Sequence, residues 1–141
     1  MKPIVARVHL ASPPEKVYAA IATDAGRTKF WAVSAVETGG VIRFVFANGM
    51  KHAGRVLRDE APRHFAVHYF GGSTAAFTLE PDGGGGTDLT LSETGVSETD
   101  YADQRAGWVS VLLALKAAVD HGVDIRNDDT KKRWEDGYVD V

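Results

Sequence analysis

The stretch Tyr101 to His121, YADQRAGWVSVLLALKAAVDH, constrains the fold more than any other. No other segment is both long and apolar enough for a helix of about five turns. Trp108, Leu112, Leu115 and Val119 recur at i, i+4, i+7 and i+11 and form one stripe, widened by Val111 and Ala118. Asp103, Gln104, Lys116 and Asp120 fall largely away from it, toward water. Ser97 and Asp100 form a capping-box pattern, with Asp in the usual Glu position. Gly122 is placed to close the helix. So broad a stripe must be buried, and nearly everything before it has the period of strands.

The preceding chain supplies the covering layer. Residues 4–10 alternate as a half-buried strand. Ser12-Pro13-Pro14-Glu15 predicts a capped start for a short helix over 13–22, with Val17, Ala20 and Ile21 on its apolar face. Asp24 is expected to cap a second short helix ending near Phe30-Trp31. The period then becomes two. Strands are expected over 33–37, 41–47, 51–59, 63–70, about 75–81 and about 89–94. Gly39-Gly40, Asn48-Gly49, Ala61-Pro62, Gly71-Gly72 and the Asp82–Gly86 run separate them. Asn48-Gly49 is a type I′ hairpin signal. Tight turns demand antiparallel neighbours. The order β-α-α-β6-α predicts an α+β fold in which a curved, seven-stranded antiparallel sheet wraps a long C-terminal helix.

Size and charge bound the function. The 141 residues suit one core, read as a domain over 1–122 and a polar C-terminal extension over 123–141. Within the extension, Trp134 and Tyr138 are expected to dock on the body or on a partner chain. Net charge is −3, which offers no footprint for nucleic acid. There is no cysteine, so disulfides and thiolate chemistry are excluded. No apolar run reaches membrane-spanning length, and MKPIVARVHL lacks the pattern of a secretory leader, so a cytoplasmic location is expected.

The five histidines show no metal-ligand spacing, and surface or singly hydrogen-bonded roles are expected of them. Asp82-Gly-Gly-Gly-Gly86 lacks a phosphate-loop pattern and reads as a flexible hairpin loop. Glu93 has two readings. In phase with Leu89 and Leu91 it would face the helix, where a carboxyl among aromatics could bind a polar ligand group or act as an acid or base. At the strand end it would instead reach water. Trp31, Phe44, Phe46, Phe65, Phe77 and Trp108 either line a cavity or fill a core.

Several pieces in order carry a family resemblance: Ala11-Ser-Pro-Pro-Glu-Lys-Val-Tyr, Thr23-Asp24 followed by Phe30-Trp31, Gly54-Arg-Val, Leu89-Thr-Leu-Ser-Glu-Thr-Gly95, and Gly107-Trp108 followed by Leu112-Leu113 and Leu115-Lys116. Over residues 1 to about 122 the chain resembles the START-like (SRPBCC) superfamily and, within it, the activator of Hsp90 ATPase homologue (AHSA1-like) family. The resemblance implies a helix-grip fold, and the lack of metal-ligand spacing and of a phosphate-loop pattern leads to the expectation of no metal and no cofactor. Together with the aromatic-rich inner faces and the absence of a catalytic constellation, the resemblance leads to the expectation of a hydrophobic or amphipathic small molecule held non-enzymatically between sheet and helix. The expected lining is Trp31, Phe44, Phe46, Phe65, Phe77, Glu93, Trp108, Leu112 and Leu115, with Trp108 as the wall on the helix side. Two alternatives stand beside this. One is a cyclase- or hydratase-like enzyme using Glu93 with His52 or His68. The other is an interaction module, as a homodimer or a chaperone partner.

Overall fold

In a computed structural model, which describes residues 2–127 and 129–138, the elements follow the predicted order. They are β1 (Ile4–Leu10), α1 (Pro14–Ala22), α2 (Asp24–Arg27), β2 (Ser34–Thr38), β3 (Val41–Val45), β4 (Lys51–Glu60), β5 (His64–His68), β6 (Thr74–Pro81), β7 (Thr87–Thr94) and α3 (Glu98–His121). The seven strands form one sheet in the order β1-β7-β6-β5-β4-β3-β2, with every pair antiparallel.

Alternation sorts the side chains. Ala35, Ile42, Phe44, Phe65, Val67, Ala75, Phe77, Leu79, Leu89 and Leu91 are buried on the face that meets α3. From α3 come Trp108, Leu112, Leu115 and Val119, the predicted stripe, joined by Ala114. Gly54 is required where β4 crosses β5, because a Cβ there would lie 2.1 Å from the His68 carbonyl oxygen.

Four local expectations are corrected, three of them by side chains that find distant or unforeseen partners and the fourth by backbone conformation. Ser12 does not cap α1, whose N-cap is Pro13 without a side-chain bond. The Ser12 hydroxyl donates instead to Asp120 Oδ1 at 2.8 Å, and the Ser12 carbonyl accepts from Thr87 Oγ1. Asp120 therefore does not point to water. Its side chain is 2% exposed and accepts from the backbone N–H groups of Ala11 and Ser12 and from Lys116 Nζ. Desolvation opposes its charge, but those donors prevail and hold its carboxyl well below the usual aspartate range. Thr23, not Asp24, caps α2, accepting from Gly26 N, and α2 stops at Arg27. The β3–β4 loop is a turn over residues 46–49 in which only Gly49 has positive φ (86°), so it is not type I′, which needs two such residues.

The predicted cap of α3 forms. Ser97 Oγ accepts from Asp100 N, while Asp100 Oδ2 takes the Ser97 hydroxyl rather than the cap N–H, and the helix starts before Tyr101. Gly122 closes it in the left-handed conformation. The glycine loop is organised by Asp82, which accepts from Gly84 N, Gly86 N and His9 Nε2. Those contacts, the His9 bond foremost, lower the Asp82 pKa to about 2.

Candidate functional site

Arg27 prepares one wall of the site. Its guanidinium is fully buried and donates to Ile21 O, Ala35 O and Asp24 Oδ1, joining α1, α2 and β2. Burial lowers its pKa, with Asp24 acting against that. Its own carbonyl accepts from Trp31 N and Ala32 N, which fixes the segment 30–33 as it leaves α2.

Trp31 is the hub of an aromatic cluster. Its ring centroid lies 4.9 Å from Phe44, 5.4 Å from Phe77, 5.9 Å from Tyr69 and 5.9 Å from Trp108. Its indole N–H donates to the Tyr69 hydroxyl at 3.1 Å. Burial pushes the Tyr69 pKa up, an effect only partly offset by that bond. Tyr69 in turn lies 5.2 Å from Trp108, and Phe77 lies 5.8 Å from it. These rings fill the space beneath the first half of α3.

Glu93 sits behind them with no exposure, so the reading in which it reaches water is corrected. The register that places Glu93 opposite Ala75 turns it inward. Neutral donors converge on it: Trp108 Nε1 at 2.6 Å, Ser73 Oγ at 2.5 Å and Gln104 Nε2 at 3.2 Å. Gln104 thus faces the core rather than water. With both oxygens occupied, the Glu93 carboxyl orients Trp108 and the turn before β6. The paired His residues do not join it. His68 is exposed, one residue out of phase with the inward Val67. His52 has its Nε2 3.0 Å from the His68 carbonyl oxygen and its ring centroid 4.8 Å from that of Phe70, at a tilt of 42°. Among the described residues no group of three or more His, Asp or Glu is arranged to hold a metal.

The open space lies elsewhere, in a cleft of about 510 Å³ beyond Trp31. Residues 30–33 and the β3–β4 turn 46–48 form two walls, Ser110, Val111, Leu113 and Ala114 of α3 a third. The fourth is the chain after α3, with Ile125, Arg126, Asn127 and Thr130. Val33 (53%), Leu113 (54%) and Ile125 (55%) are exposed, so its apolar mouth faces solvent. Of the predicted lining, Trp31 and Phe46 border this cleft. Phe44, Phe65, Phe77, Glu93, Trp108, Leu112 and Leu115 do not border it, and Trp108 is core rather than cavity wall.

Arg126 rivets the fourth wall. It donates to Thr28 O at 2.8 Å and Ala32 O at 3.1 Å, and pairs with Asp124. That pairing holds the Asp124 pKa below its ordinary value. Sequence reasoning missed Arg27, Tyr69, Ser73 and Arg126. An Asp24–Arg27 i, i+3 pair was a readable signal for the first, but nothing local marks Arg126, whose acceptors are 94 and 98 residues away. Beyond the cleft, Trp134 is 71% exposed, so of the two expected resting places it does not take the body and the partner chain stays open, while Tyr138 is half-buried.

The profile of the family described as "Activator of Hsp90 ATPase homolog 1-like protein" matches residues 11–120. No curated protein matches at a significant level. Among solved structures, the chain is similar to the Aha1 dimer from Colwellia psychrerythraea, with 27% identity, TM-score 0.78 and coverage of 86% of this chain and 98% of that one. It is also similar to protein SSP2350 from Staphylococcus saprophyticus, with 25% identity, TM-score 0.77 and coverage of 89% and 96%. An AHSA1-like protein from Aeromonas hydrophila shares the fold at 18% identity and TM-score 0.74, covering 86% and 94%.

Proposed function

Since the chain belongs to the activator of Hsp90 ATPase homolog 1-like family, whose fold serves ligand-binding and interaction modules, we propose that it binds an apolar or amphipathic small molecule without transforming it. The observation that carries this reading is the cleft of about 510 Å³ beside Trp31, within the usual range of about 300–1,000 Å³ for small-molecule sites. Its walls are mainly aliphatic and aromatic. Among the described residues no acid–base pair lines it, so it offers adhesion and shape but no proton transfer.

N-phenyl-1-naphthylamine, an uncharged dye that brightens in apolar sites, provides the test. Saturable brightening with the native chain, weakened by Leu113→Asp in the cleft wall, is the expected result. Dye that remains dark, or that brightens equally with the variant, removes the cleft from consideration.

A second reading, association with a second copy, is favoured by the exposed Trp134 and by the similarity to the Colwellia protein described as a dimer. Light scattering on the native chain and on Trp134→Ala decides it. A monomeric mass for both removes it. No observation on this chain favours a chaperone partner over these readings.

A further inference from the structure

The charges around the cleft narrow what can occupy it. Among the described lining residues Arg126 alone is charged. Its Nε and Nη2 donate to the Asp124 carboxylate at 3.0 and 2.8 Å, Nη2 also to Thr28 O at 2.8 Å, and Nη1 to Ala32 O at 3.1 Å. The cation is therefore neutralised by its neighbour, and most of its five N–H groups are engaged in holding the wall. It is a fastener, and an incoming anion would have to compete with Asp124 for it.

The polar groups left at the cleft are neutral donors. Asn48 uses its side-chain oxygen to accept from Met50 N at 3.0 Å, which leaves its NH₂ group available. The hydroxyls of Ser110 and Thr130 have no hydrogen-bond partner among the described residues. These three come from different walls: the β3–β4 turn, α3 and the segment after it. Hydroxyl, carbonyl or ether oxygens on a ligand can answer all of them. A carboxylate carried past the exposed mouth, down to the buried Phe30, Trp31 and Ala114, would lose its hydration with no free cation among the described lining residues to compensate, at a cost well above that of a neutral oxygen.

We propose that the cleft takes an uncharged molecule, an apolar body bearing a few oxygen acceptors, and discriminates against carboxylates of the same shape. The inference rests on the small-molecule reading above and specifies its ligand class. Arg126 and its neutralising partner Asp124 lie beyond the residues matched by the family profile, which end at 120, so this part of the selectivity belongs to the chain's own extension.

Displacement of bound N-phenyl-1-naphthylamine by decan-1-ol and by decanoate, at about pH 8 where the acid is fully ionised, tests it. Decan-1-ol is expected to displace the dye at roughly tenfold lower concentration than decanoate, both kept below micelle formation. Ser110→Lys, an exposed helix position, places an unpaired cation in the wall and is expected to narrow or reverse that ratio. Equal or better displacement by decanoate from the native chain, or an unaltered ratio in Ser110→Lys, overturns the inference and leaves the binding site standing. A dye that never binds the native chain overturns both.

Discussion

The indole N–H of Trp108 donates to Glu93 Oε1 across 2.6 Å, inside a core where neither residue is more than 2% exposed. Trp108 is thus held by a hydrogen bond at one end and by Trp31, Tyr69 and Phe77 around its rings. A buried carboxyl with only neutral donors is a costly arrangement unless every donor is kept.

Glu93→Leu is expected to destabilise the fold by about 2–5 kcal/mol, because Trp108 Nε1 and Ser73 Oγ lose a buried acceptor. Glu93→Gln keeps one carbonyl oxygen and should lose less. Urea unfolding of the three chains gives the ranking. A Leu variant as stable as the native chain would show that the cluster contributes nothing.

Trp108→Ala removes a tightly packed side chain and is expected to cost about 3–5 kcal/mol. The residue does not border the cleft, so dye affinity measured on the fraction that remains folded should stay within about twofold of the native value, well under one kcal/mol by the usual conversion. Loss of binding in a folded variant would instead make Trp108 part of the ligand site.

Asp120 should make the junction of α1 and α3 sensitive to acid. Its folded pKa lies below the unfolded value of about 3.9, so its stabilisation is complete above that value and is lost as pH falls from there toward the folded pKa. Asp120→Ala is expected to be about 2 kcal/mol less stable at neutral pH, since the N–H groups of Ala11 and Ser12 lose their acceptor. The gap to the native chain should shrink below about pH 4. A gap independent of pH from 7 to about 2 would mean that the carboxylate charge is not the source.

Arg126→Ala should free the wall after α3 while leaving the core intact. Global unfolding is expected to shift by only about 1 kcal/mol, because the donors lost are partly solvent-exposed. Limited trypsin digestion should cut after Lys131 and Lys132 several times faster than in the native chain. Equal cleavage rates would show that Arg126 does not fasten the segment.

Element order, the antiparallel pairing of successive strands from β2 to β7 and the buried stripe of α3 were readable in the sequence because each depends on short-range periodicity and turn chemistry, whereas the pairing of β1 with β7 joins residues far apart in the chain. Trp108, Leu112, Leu115 and Val119 recur at helical spacing whatever they pack against, and glycine-bearing turns leave successive strands no choice but to run antiparallel. Ser97 and Gly122 bound α3 by bonds that span only a few residues, so they too were local. Periodicity names the inward face of a strand, but does not say whether the inward groups meet each other or enclose space. That depended on rings brought together from Trp31, Phe44, Tyr69, Phe77 and Trp108, which close the interior and leave the open cleft at its rim. Ser12 and Asp120, read as a helix cap and a solvent-facing charge, found each other across 108 residues. Arg126 reached the carbonyls of Thr28 and Ala32 in the same way. A polar side chain takes whichever partner the assembled fold brings within about 3 Å, and that choice exists only once the chain has folded.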